Sequence, residues 1–405
     1  MHYELKSVES GGQSEELCFS PSAFEQRIKG VYSMRVILAG GGTAGHINPA
    51  LAIAGYLKEK QPDTEILYIG NKGGMEERLV PQAGFDFKSV SVQGFRRKIS
   101  FKSLKENVVT VNKAVKASHD AEKLIKEFKP DVCIGTGGYV SGPVMRAAAK
   151  LGIPVLIHEQ NAYPGITNKM LAKKAARVML AMPAAREKFK GDYNFVDVGN
   201  PIRSAILKED KQTARKKLGL DSRPVILSFG GSLGADRINE ALADVISRSA
   251  KDGKYQHIHA YGQYGKWFPD LLKEKGVDLE KAKNLDIREY INDMPVCLAA
   301  ADVVVARAGA MTLSEIQVKG KPSILIPSPN VAENHQYHNA MALVNKKAAL
   351  MIEEKDLTPE KLTEAIDSLA SDTKKLAEYS ENAKKMGIAD ASKRIYSVIM
   401  EVVNN

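Results

Sequence analysis

The chain has 405 residues, which is more than one ordinary hydrophobic core supports, so its length predicts two domains. A formal net charge of +10 indicates an anionic partner: a nucleotide, a nucleic acid or an acidic membrane surface. Aromatic residues make up only 6% of the chain and no zinc-finger spacing occurs, which argues against nucleic acid. The three cysteines, Cys18, Cys133 and Cys297, are scattered and odd in number, which favours reduced thiols and a cytosolic protein.

The N-terminal segment differs in character from the rest of the chain. Residues 1–33 are mostly polar and lack the charged-then-apolar order of a secretory signal. We expect them to form a disordered extension, or to lie upstream of a natural start at Met34. No run of about eighteen apolar residues occurs, so the sequence predicts no membrane-spanning helix.

Short apolar runs alternate with helical segments along both halves of the chain. This alternation predicts right-handed βαβ units in an α/β protein, with two doubly wound, Rossmann-like domains facing each other across a cleft. We expect an N-terminal domain over residues 34–200, a C-terminal domain over 201–370 and a helical segment over 371–405, with the hinge near "GNPIRSAI". The last helices either cap the second domain or cross back to the first. The predicted strands are Arg35–Ala39, Glu65–Ile69, Asp131–Ile134, Pro154–Ile157, Arg177–Leu180, Pro224–Ser228, His257–Tyr261, Asp302–Ala306 and Ser323–Ile326.

The first strand runs into a glycine turn. Gly40, Gly42 and Gly45 fit G-x-G-x-x-G between a strand and a helix, where free N–H groups at the helix start bind phosphate. A nicotinamide enzyme usually has an acidic residue at the end of the second strand, and here "LYIGNKGG" has Asn71 and Lys72 instead. Glu76 and Glu77 come later and are predicted to lie in a helix. The dehydrogenase interpretation is therefore disfavoured.

Two more glycine turns follow predicted strands, "GTGGYVSGP" and "GGSLGA". In the second of them, Ser232 either donates its hydroxyl and N–H to a phosphate or serves as a helix N-cap. Further along, Glu315 either forms a capping box with Thr312 or accepts two ribose hydroxyls beside a helix N-terminus. Gln336 lies in a polar loop and carries both a donor and an acceptor for sugar hydroxyls.

Motifs from several parts of the chain resemble, in order and spacing, the MurG family of glycosyltransferases. They are "GGTAGHINPALAIA", "HEQNAYPGITNKMLA", "GNPIR", "GGSLGA" and "RAGAMTLSEI…GKPSILIP…NHQYHNA". The resemblance covers Met34 to the C-terminus and implies a two-domain GT-B fold without cofactor or metal. The implied reaction transfers N-acetylglucosamine from UDP to the C4 hydroxyl of the N-acetylmuramoyl residue of lipid I, giving lipid II for peptidoglycan. The alternative is a UDP-N-acetylglucosamine epimerase of the same fold that acts on free nucleotide sugar.

The resemblance also implies which residues bind the donor. Glu315 would accept the ribose hydroxyls and the Ile291 backbone would read the uracil edge. Ala44 replaces a glycine of the usual family loop, and its methyl group fits if its φ is negative. The implied donor contacts are Thr43, Ala44, Gly45, Asn161, Arg203, Ser232, Ile291, Ala310, Met311, Thr312, Leu313, Ser314, Glu315 and Gln336.

The implied chemistry needs a base and a positive environment for the leaving diphosphate. His46 is the candidate base, because imidazole titrates near neutral pH; the alternative is that it only braces the loop. No D-x-D metal motif occurs in the chain, so helix N-termini and Arg203 would stabilise the diphosphate. Asn161 would hydrogen-bond the sugar, and His158 and Glu159 would orient their loop.

A basic and apolar segment, "VQGFRRKISFKSLK", suits an anionic membrane surface. The alternative is an ordinary solvated loop. The family resemblance implies peripheral attachment at the cytoplasmic face of the bacterial cell membrane, where the lipid acceptor is anchored. The proposed surface residues are Phe95, Arg96, Arg97, Lys98, Ile99 and Phe101.

Overall fold

The computed structural model describes residues 33–92 and 101–405, which form two parallel β-sheets with helices packed on both faces. The nine predicted strands are confirmed: Arg177–Leu180 matches at both ends, and the other eight differ by at most a few residues at an end. The described strands are β1 (Arg35–Gly40), β2 (Glu65–Asn71), β3 (Asp86–Val90), β4 (Val132–Gly137), β5 (Val155–Glu159), β6 (Arg177–Leu180), β7 (Phe195–Asp197), β8 (Val225–Phe229), β9 (Gln256–Ala260), β10 (Leu285–Arg288), β11 (Val303–Ala306), β12 (Ser323–Leu325) and β13 (Ala349–Met351).

Helices connect successive strands, as the parallel sheets require. Those of the described residues are α1 (Ala44–Lys60), α2 (Glu76–Gln82), α3 (Phe101–Phe128), α4 (Gly138–Lys150), α5 (Ile166–Leu171), α6 (Ser204–Lys208), α7 (Lys211–Lys217), α8 (Asp236–Asp252), α9 (Phe268–Glu274), α10 (Met294–Ala300), α11 (Ala310–Val318), α12 (His335–Val344), α13 (Pro359–Ala370), α14 (Thr373–Met386) and α15 (Ala391–Asn404). None of these helices is long and apolar enough to cross a membrane.

The two sheets share one strand order over six strands, and the first sheet has a seventh strand at its edge. The first sheet runs β3-β2-β1-β4-β5-β6-β7 and the second runs β10-β9-β8-β11-β12-β13, with every pairing parallel. The order reverses between β1 and β4 in the first sheet and between β8 and β11 in the second. Crevices at such reversals, beyond the carboxyl ends of the strands, are where doubly wound folds bind ligands.

Alternation along the strands explains why both faces of each sheet are covered. On β1, Ile37 packs into one buried apolar cluster, whereas Val36 and Leu38 pack into another on the opposite face. Likewise Leu227 and Ile226 of β8 belong to separate clusters of the second sheet. In a strand that is buried on both faces, consecutive residues of the sequence are apolar, and this is why the central strands were predictable.

The C-terminal helices divide between the two domains. α13 and α14 pack on the second domain, where the Ser380 hydroxyl donates to the carbonyl of Gly320 at 2.6 Å. α15 crosses back to the first domain, and Ile395 and Ile399 join the apolar cluster of Val36 and Leu38. Of the two possibilities left open by the sequence, crossing back is correct for this last helix.

Candidate active site

The glycine turns after β1 and β4 lie against each other at the first reversal of strand order. Gly41 N donates to the carbonyl of Gly137 at 3.3 Å. Gly138 has φ of 78°, and a Cβ there would lie 2.1 Å from the Gly41 oxygen. Only glycine permits this approach, so the close packing of the two turns explains the glycine content of both motifs.

Helix α1 begins inside the first glycine turn, at Ala44. Its N-cap, Thr43, makes no side-chain capping bond, and the N–H groups of Ala44 and Gly45 have no hydrogen-bond partner among the described residues. Ala44 is absent from the positive-φ positions, so its methyl group is accommodated as expected. The start of α1 therefore presents backbone N–H groups that can donate hydrogen bonds to a bound anion.

His46 occupies the first turn of α1 and is half-buried. Its Nδ1 lies 3.1 Å from the carbonyl oxygen of Gly41 and 3.3 Å from Thr43 Oγ1. A carbonyl oxygen can only accept, so Nδ1 carries the proton and Nε2 of the neutral ring keeps a free lone pair. A Cβ at Gly137 would lie 3.2 Å from Nε2, so the glycine leaves this nitrogen uncovered.

The charge state of His46 follows from its surroundings. Burial lowers the pKa of His46, while the Glu159 carboxylate, the hydrogen bond to Gly41 and the Glu76 carboxylate act in the opposite direction. Burial dominates, so the ring is neutral at physiological pH. A neutral imidazole with a free Nε2 is competent to accept a proton.

Glu159 ends β5 and organises the following loop. One of its oxygens accepts from Asn161 N at 3.0 Å and Asn161 Nδ2 at 3.1 Å, and the other accepts from Gly165 N at 3.0 Å and Asn168 Nδ2 at 2.9 Å. The preceding His158 is buried, which lowers its pKa. Its Nε2 donates to the carbonyl of Gly199 at 2.9 Å, which ties β5 to the hinge. This geometry agrees with the orienting roles predicted for both residues.

Two buried asparagines join the domains beside this loop. Asn339 of α12 accepts from Ala162 N at 2.8 Å and donates to Asn161 Oδ1 at 3.1 Å. Asn200 donates to the Ser314 hydroxyl at 2.9 Å. The predicted sugar-binding amide of Asn161 is thus engaged by both domains in this structure. Asn200 escaped prediction although it lies in the recognised "GNPIR" motif.

Helix α11 follows β11 at the second reversal of strand order. Its N-cap is Gly309, and Leu313 N donates to the Gly309 carbonyl, so Thr312 already lies inside the helix. The capping-box alternative is therefore wrong. Of the predicted contacts here, Ala310, Met311 and Thr312 carry N–H groups with no partner among the described residues, whereas the side chain of Leu313 is fully buried in the core.

Glu315 projects from the second turn of α11 and meets Arg203. Arg203 Nε and Nη2 both donate to Glu315 Oε1, at 3.2 and 2.9 Å. The Arg203 side chain is 59% exposed and that of Glu315 only 14%. Burial raises the pKa of Glu315, and Arg203 opposes this rise. Oε2 accepts no hydrogen bond from a described residue, so half of the carboxylate is available to a ligand.

The remaining predicted donor contacts follow other strands of the second sheet. Helix α8 has Ala235 as its N-cap, so Ser232 is not the cap; its hydroxyl is exposed and has no described partner. Ile291, after β10, buries its side chain while its backbone N–H and C=O make no hydrogen bond to a described residue. Gln336 Oε1 accepts from Ser328 N at 2.9 Å, leaving its Nε2 for a ligand. Ser232, Ile291 and Gln336 thus all lie at the edge of the second sheet that is formed by the carboxyl ends of its strands.

Glu76 is a site residue that sequence reasoning missed. It begins α2 as predicted, but its buried carboxylate returns to the first glycine turn and accepts from Gly42 N at 3.4 Å.

Of the proposed membrane surface, Phe95–Ile99 lies outside the described residues, and Phe101 begins α3.

Comparison with known proteins identifies the family. The glycosyltransferase family 28 N-terminal domain matches residues 36–180, and the corresponding C-terminal domain matches residues 225–395. The chain belongs to glycosyltransferase family 28. Both reversals of strand order in this family-28 chain fall inside the matched ranges.

Similar family-28 relatives carry one activity in their names. A UDP-N-acetylglucosamine--N-acetylmuramyl-(pentapeptide) pyrophosphoryl-undecaprenol N-acetylglucosamine transferase of Acetivibrio thermocellus is 48% identical over 92% of this chain and 99% of its own length. The protein of the same name from Desulforamulus reducens is 44% identical over 91% of this chain and 99% of its own.

Solved structures agree on the architecture. Acinetobacter baumannii MurG superposes with a TM-score of 0.74 and 29% identity, covering 91% of this chain and all of its own. A UDP complex of Staphylococcus aureus MnaA gives a TM-score of 0.63 at 14% identity, covering 92% of this chain and 97% of its own. The second match shows the fold alone. Together they establish the two-domain GT-B architecture of this family-28 chain, as predicted.

Proposed function

We propose that this chain transfers N-acetylglucosamine from UDP to the C4 hydroxyl of the N-acetylmuramoyl residue of lipid I, forming lipid II for peptidoglycan synthesis. The names of the relatives at 44–48% identity support this substrate pair. The observation that carries the mechanism is the geometry of His46: its Nδ1–H donates to the Gly41 carbonyl, while its Nε2 is left uncovered beside Gly137. The epimerase alternative is not favoured, because the structure of a Listeria monocytogenes protein named as a UDP-N-acetylglucosamine 2-epimerase is only 13% identical and shares the fold alone.

The transfer is an inverting substitution at the anomeric carbon. The bond from that carbon to the β-phosphate oxygen breaks as the acceptor C4 oxygen bonds from the opposite face, so the α-linked donor gives a β-linked product. The hydroxyl proton passes to His46 Nε2. General-base assistance of this kind is worth about 10²–10⁴-fold in rate.

Negative charge grows on the leaving UDP and needs fixed positive partners. The free N–H groups at the starts of α1 and α11 and the Ser232 hydroxyl are candidates, and Arg203 adds a cation. Each oriented donor contributes about 3 kcal/mol to the transition state. We assign the ribose hydroxyls to Glu315, the uracil edge to the Ile291 backbone and the sugar hydroxyls to Gln336.

The decisive assay supplies UDP-N-acetylglucosamine with and without a lipid I analogue. Release of UDP that depends on the acceptor supports transfer, isomerisation of the sugar without acceptor supports the epimerase, and a change in NADH absorbance would revive the dehydrogenase. His46→Ala should reduce turnover far more than donor affinity. His119→Ala, which removes an exposed imidazole of α3 in the same domain, is the matched control and should leave turnover unchanged.

We also propose peripheral attachment to the anionic cytoplasmic face of the bacterial membrane. The relatives' acceptor is an undecaprenol derivative, so the enzyme has to reach a bilayer. Each basic side chain near an anionic surface adds about 1 kcal/mol to binding. Neutralising Arg96, Arg97 and Lys98 together should weaken binding to anionic liposomes but spare activity on a soluble acceptor. The control neutralises the exposed second-domain lysines Lys266, Lys281 and Lys355; equal liposome binding by both variants would remove the membrane proposal.

A further inference from the structure

Glu76 carries a buried carboxylate for which neither the motifs nor the proposed chemistry supplies a role. Three glycines enclose it. A Cβ at Gly41 would lie 2.2 Å from Oε1, one at Gly74 would lie 2.7 Å from Oε2, and one at Gly70 would lie 2.5 Å from Cγ. A fully buried carboxylate is costly unless its oxygens are hydrogen-bonded, so its place against the first glycine turn requires an explanation.

A single peptide unit joins this carboxylate to the candidate base. The peptide between Gly41 and Gly42 donates its N–H to Glu76 Oε2 at 3.4 Å, and its C=O accepts from His46 Nδ1 at 3.1 Å. Glu76 Oε1 accepts from Asn71 N at 3.0 Å, which fixes the carboxylate plane from the other side. Because a peptide is planar and trans, its N–H and C=O point in opposite directions, and holding one aims the other.

We propose that Glu76 is a positioning residue for the transfer: it holds the Gly41–Gly42 peptide so that the Gly41 carbonyl faces His46 Nδ1 and leaves Nε2 as the base. This inference rests on the proposed function. During the reaction Glu76 takes no proton; the acceptor proton goes to His46 Nε2, and the Nδ1–H bond to Gly41 strengthens as the ring becomes cationic.

The glycine turn needs such a restraint because it is intrinsically free to rotate. Gly42 has φ of 81°, and two adjacent glycines allow the peptide between them to flip at little steric cost. A flipped peptide would direct its C=O toward the Glu76 carboxylate, which is repulsive, and would present its N–H to His46 Nδ1. The ring would then favour the tautomer with the proton on Nε2, which is useless as a base.

The charges around both groups support the same assignment. His46 is faced by Glu159 from β5 and by Glu76 from α2, and both carboxylates raise its pKa against the larger effect of burial. Glu76 itself faces Tyr68 of β2 and Tyr139 of α4, whose pKa values are raised by burial and by this carboxylate. Both phenols stay protonated at neutral pH, so neither adds a second negative charge beside the Gly42 N–H.

The test replaces Glu76 by its isosteric amide, with a neighbouring glutamate as control. Glu76→Gln should lower kcat by about 10²-fold, as displaced catalytic groups do, without changing the KM for UDP-N-acetylglucosamine. The acidic limb of the kcat/KM profile should move to lower pH, because loss of the negative charge lowers the pKa of His46; a purely structural role would leave that limb in place. Glu77→Gln should match the wild type, since Glu77 is exposed and binds Gly73 N at 2.7 Å instead.

A measurement on the unaltered protein decides the proposal even if Glu76→Gln does not fold. In ¹⁵N spectra of histidine-labelled wild-type protein, His46 should be the Nδ1–H tautomer at neutral pH. An Nε2–H tautomer would overturn the proposal, and so would a folded Glu76→Gln variant with wild-type kcat and pH profile. Wild-type protein that releases no UDP with the acceptor would instead overturn the proposed function.

Discussion

Replacing Glu315 by alanine tests the nucleotide site where the structure is most specific. Arg203 occupies only Oε1 of this carboxylate, with donor distances of 2.9 and 3.2 Å, and Oε2 accepts nothing from the described residues. A carboxylate offers about four acceptor positions, so two ribose hydroxyls can bind without displacing Arg203. Losing Glu315 therefore removes two hydrogen bonds to the nucleotide and one ion pair within the protein.

The loss of the two hydrogen bonds to the nucleotide costs much more free energy than the loss of the ion pair. Hydrogen bonds to a charged group are worth about 1.5–3 kcal/mol each, so the nucleotide loses about 3 kcal/mol at the lower end, and its Kd rises about 150-fold. The ion pair counts for little, because the Arg203 side chain is 59% exposed and water solvates it when its partner is removed. Glu315→Gln keeps the volume and one oxygen acceptor and should give an intermediate loss.

Calorimetric titration with UDP and with 2′-deoxy-UDP isolates the ribose contact. In the wild type, removing the 2′-hydroxyl should weaken binding about tenfold or more, since one charge-assisted hydrogen bond is lost. In Glu315→Ala the same change in the ligand should have no further effect. If both proteins lose the same affinity when the hydroxyl is removed, Glu315 does not bind the ribose and the assignment is refuted.

Three further outcomes are expected. The acidic limb of kcat/KM should fall below the ordinary imidazole pKa of about 6.5, because burial lowers the pKa of His46; a limb above that value in a pH–rate profile would contradict its role as base. The buried His257 and His259 have pKa values lowered to about 3 by burial, so the unfolded chain takes up protons first as the pH falls below 6.5. The free energy of unfolding should then drop by about 1.4 kcal/mol per pH unit for each histidine. When it is measured by urea unfolding at several pH values, the free energy of unfolding of His259→Gln should fall less steeply between pH 6 and pH 4 than that of the wild type. Finally, transfer should survive dialysis against EDTA, because the chain has no D-x-D motif; activity restored only by a divalent ion would exclude stabilisation by protein groups alone.

The strands that sequence analysis missed share one position in the fold. β3, β7, β10 and β13 are the outermost strands of the two sheets. "FVD" and "LDIR" are short and only half-buried, so they lack the continuous apolar run of a central strand. Central strands are predictable because burial on both faces dictates their composition, whereas an outer strand is defined by pairing with a neighbour that the sequence does not reveal.

The residues of the candidate site also divide into those that the sequence predicts and those that it does not. Glycines and polar groups that follow strands were predictable, since parallel strands bring their carboxyl ends to one edge. The roles of Glu76, Asn200 and Asn339 were not, because each depends on a contact between segments far apart in the chain. The glycines that precede Glu76 at positions 70 and 74 were an available signal, as closely spaced glycines leave room for another group.

The C-terminal helix illustrates the limit of amphipathic patterns. The pattern of α15 indicates that one face is buried, but not against which domain. Its return to the first domain gives the chain two crossings between the domains, one at the hinge near Gly199 and one between α14 and α15.

The two crossings touch, and their contact lies between strand β5 of the first domain and helix α11 of the second. Gly199 has φ of 81°, and a Cβ there would lie 2.8 Å from Cβ of Ile388 in the second crossing. On one side His158 donates to the Gly199 carbonyl, and on the other Asn200 donates to Ser314 of α11. The short segment of Gly199 and Asn200 is therefore hydrogen-bonded both to strand β5 of the first domain and to helix α11 of the second, so the segment that joins the domains also ties together the two parts of the candidate site.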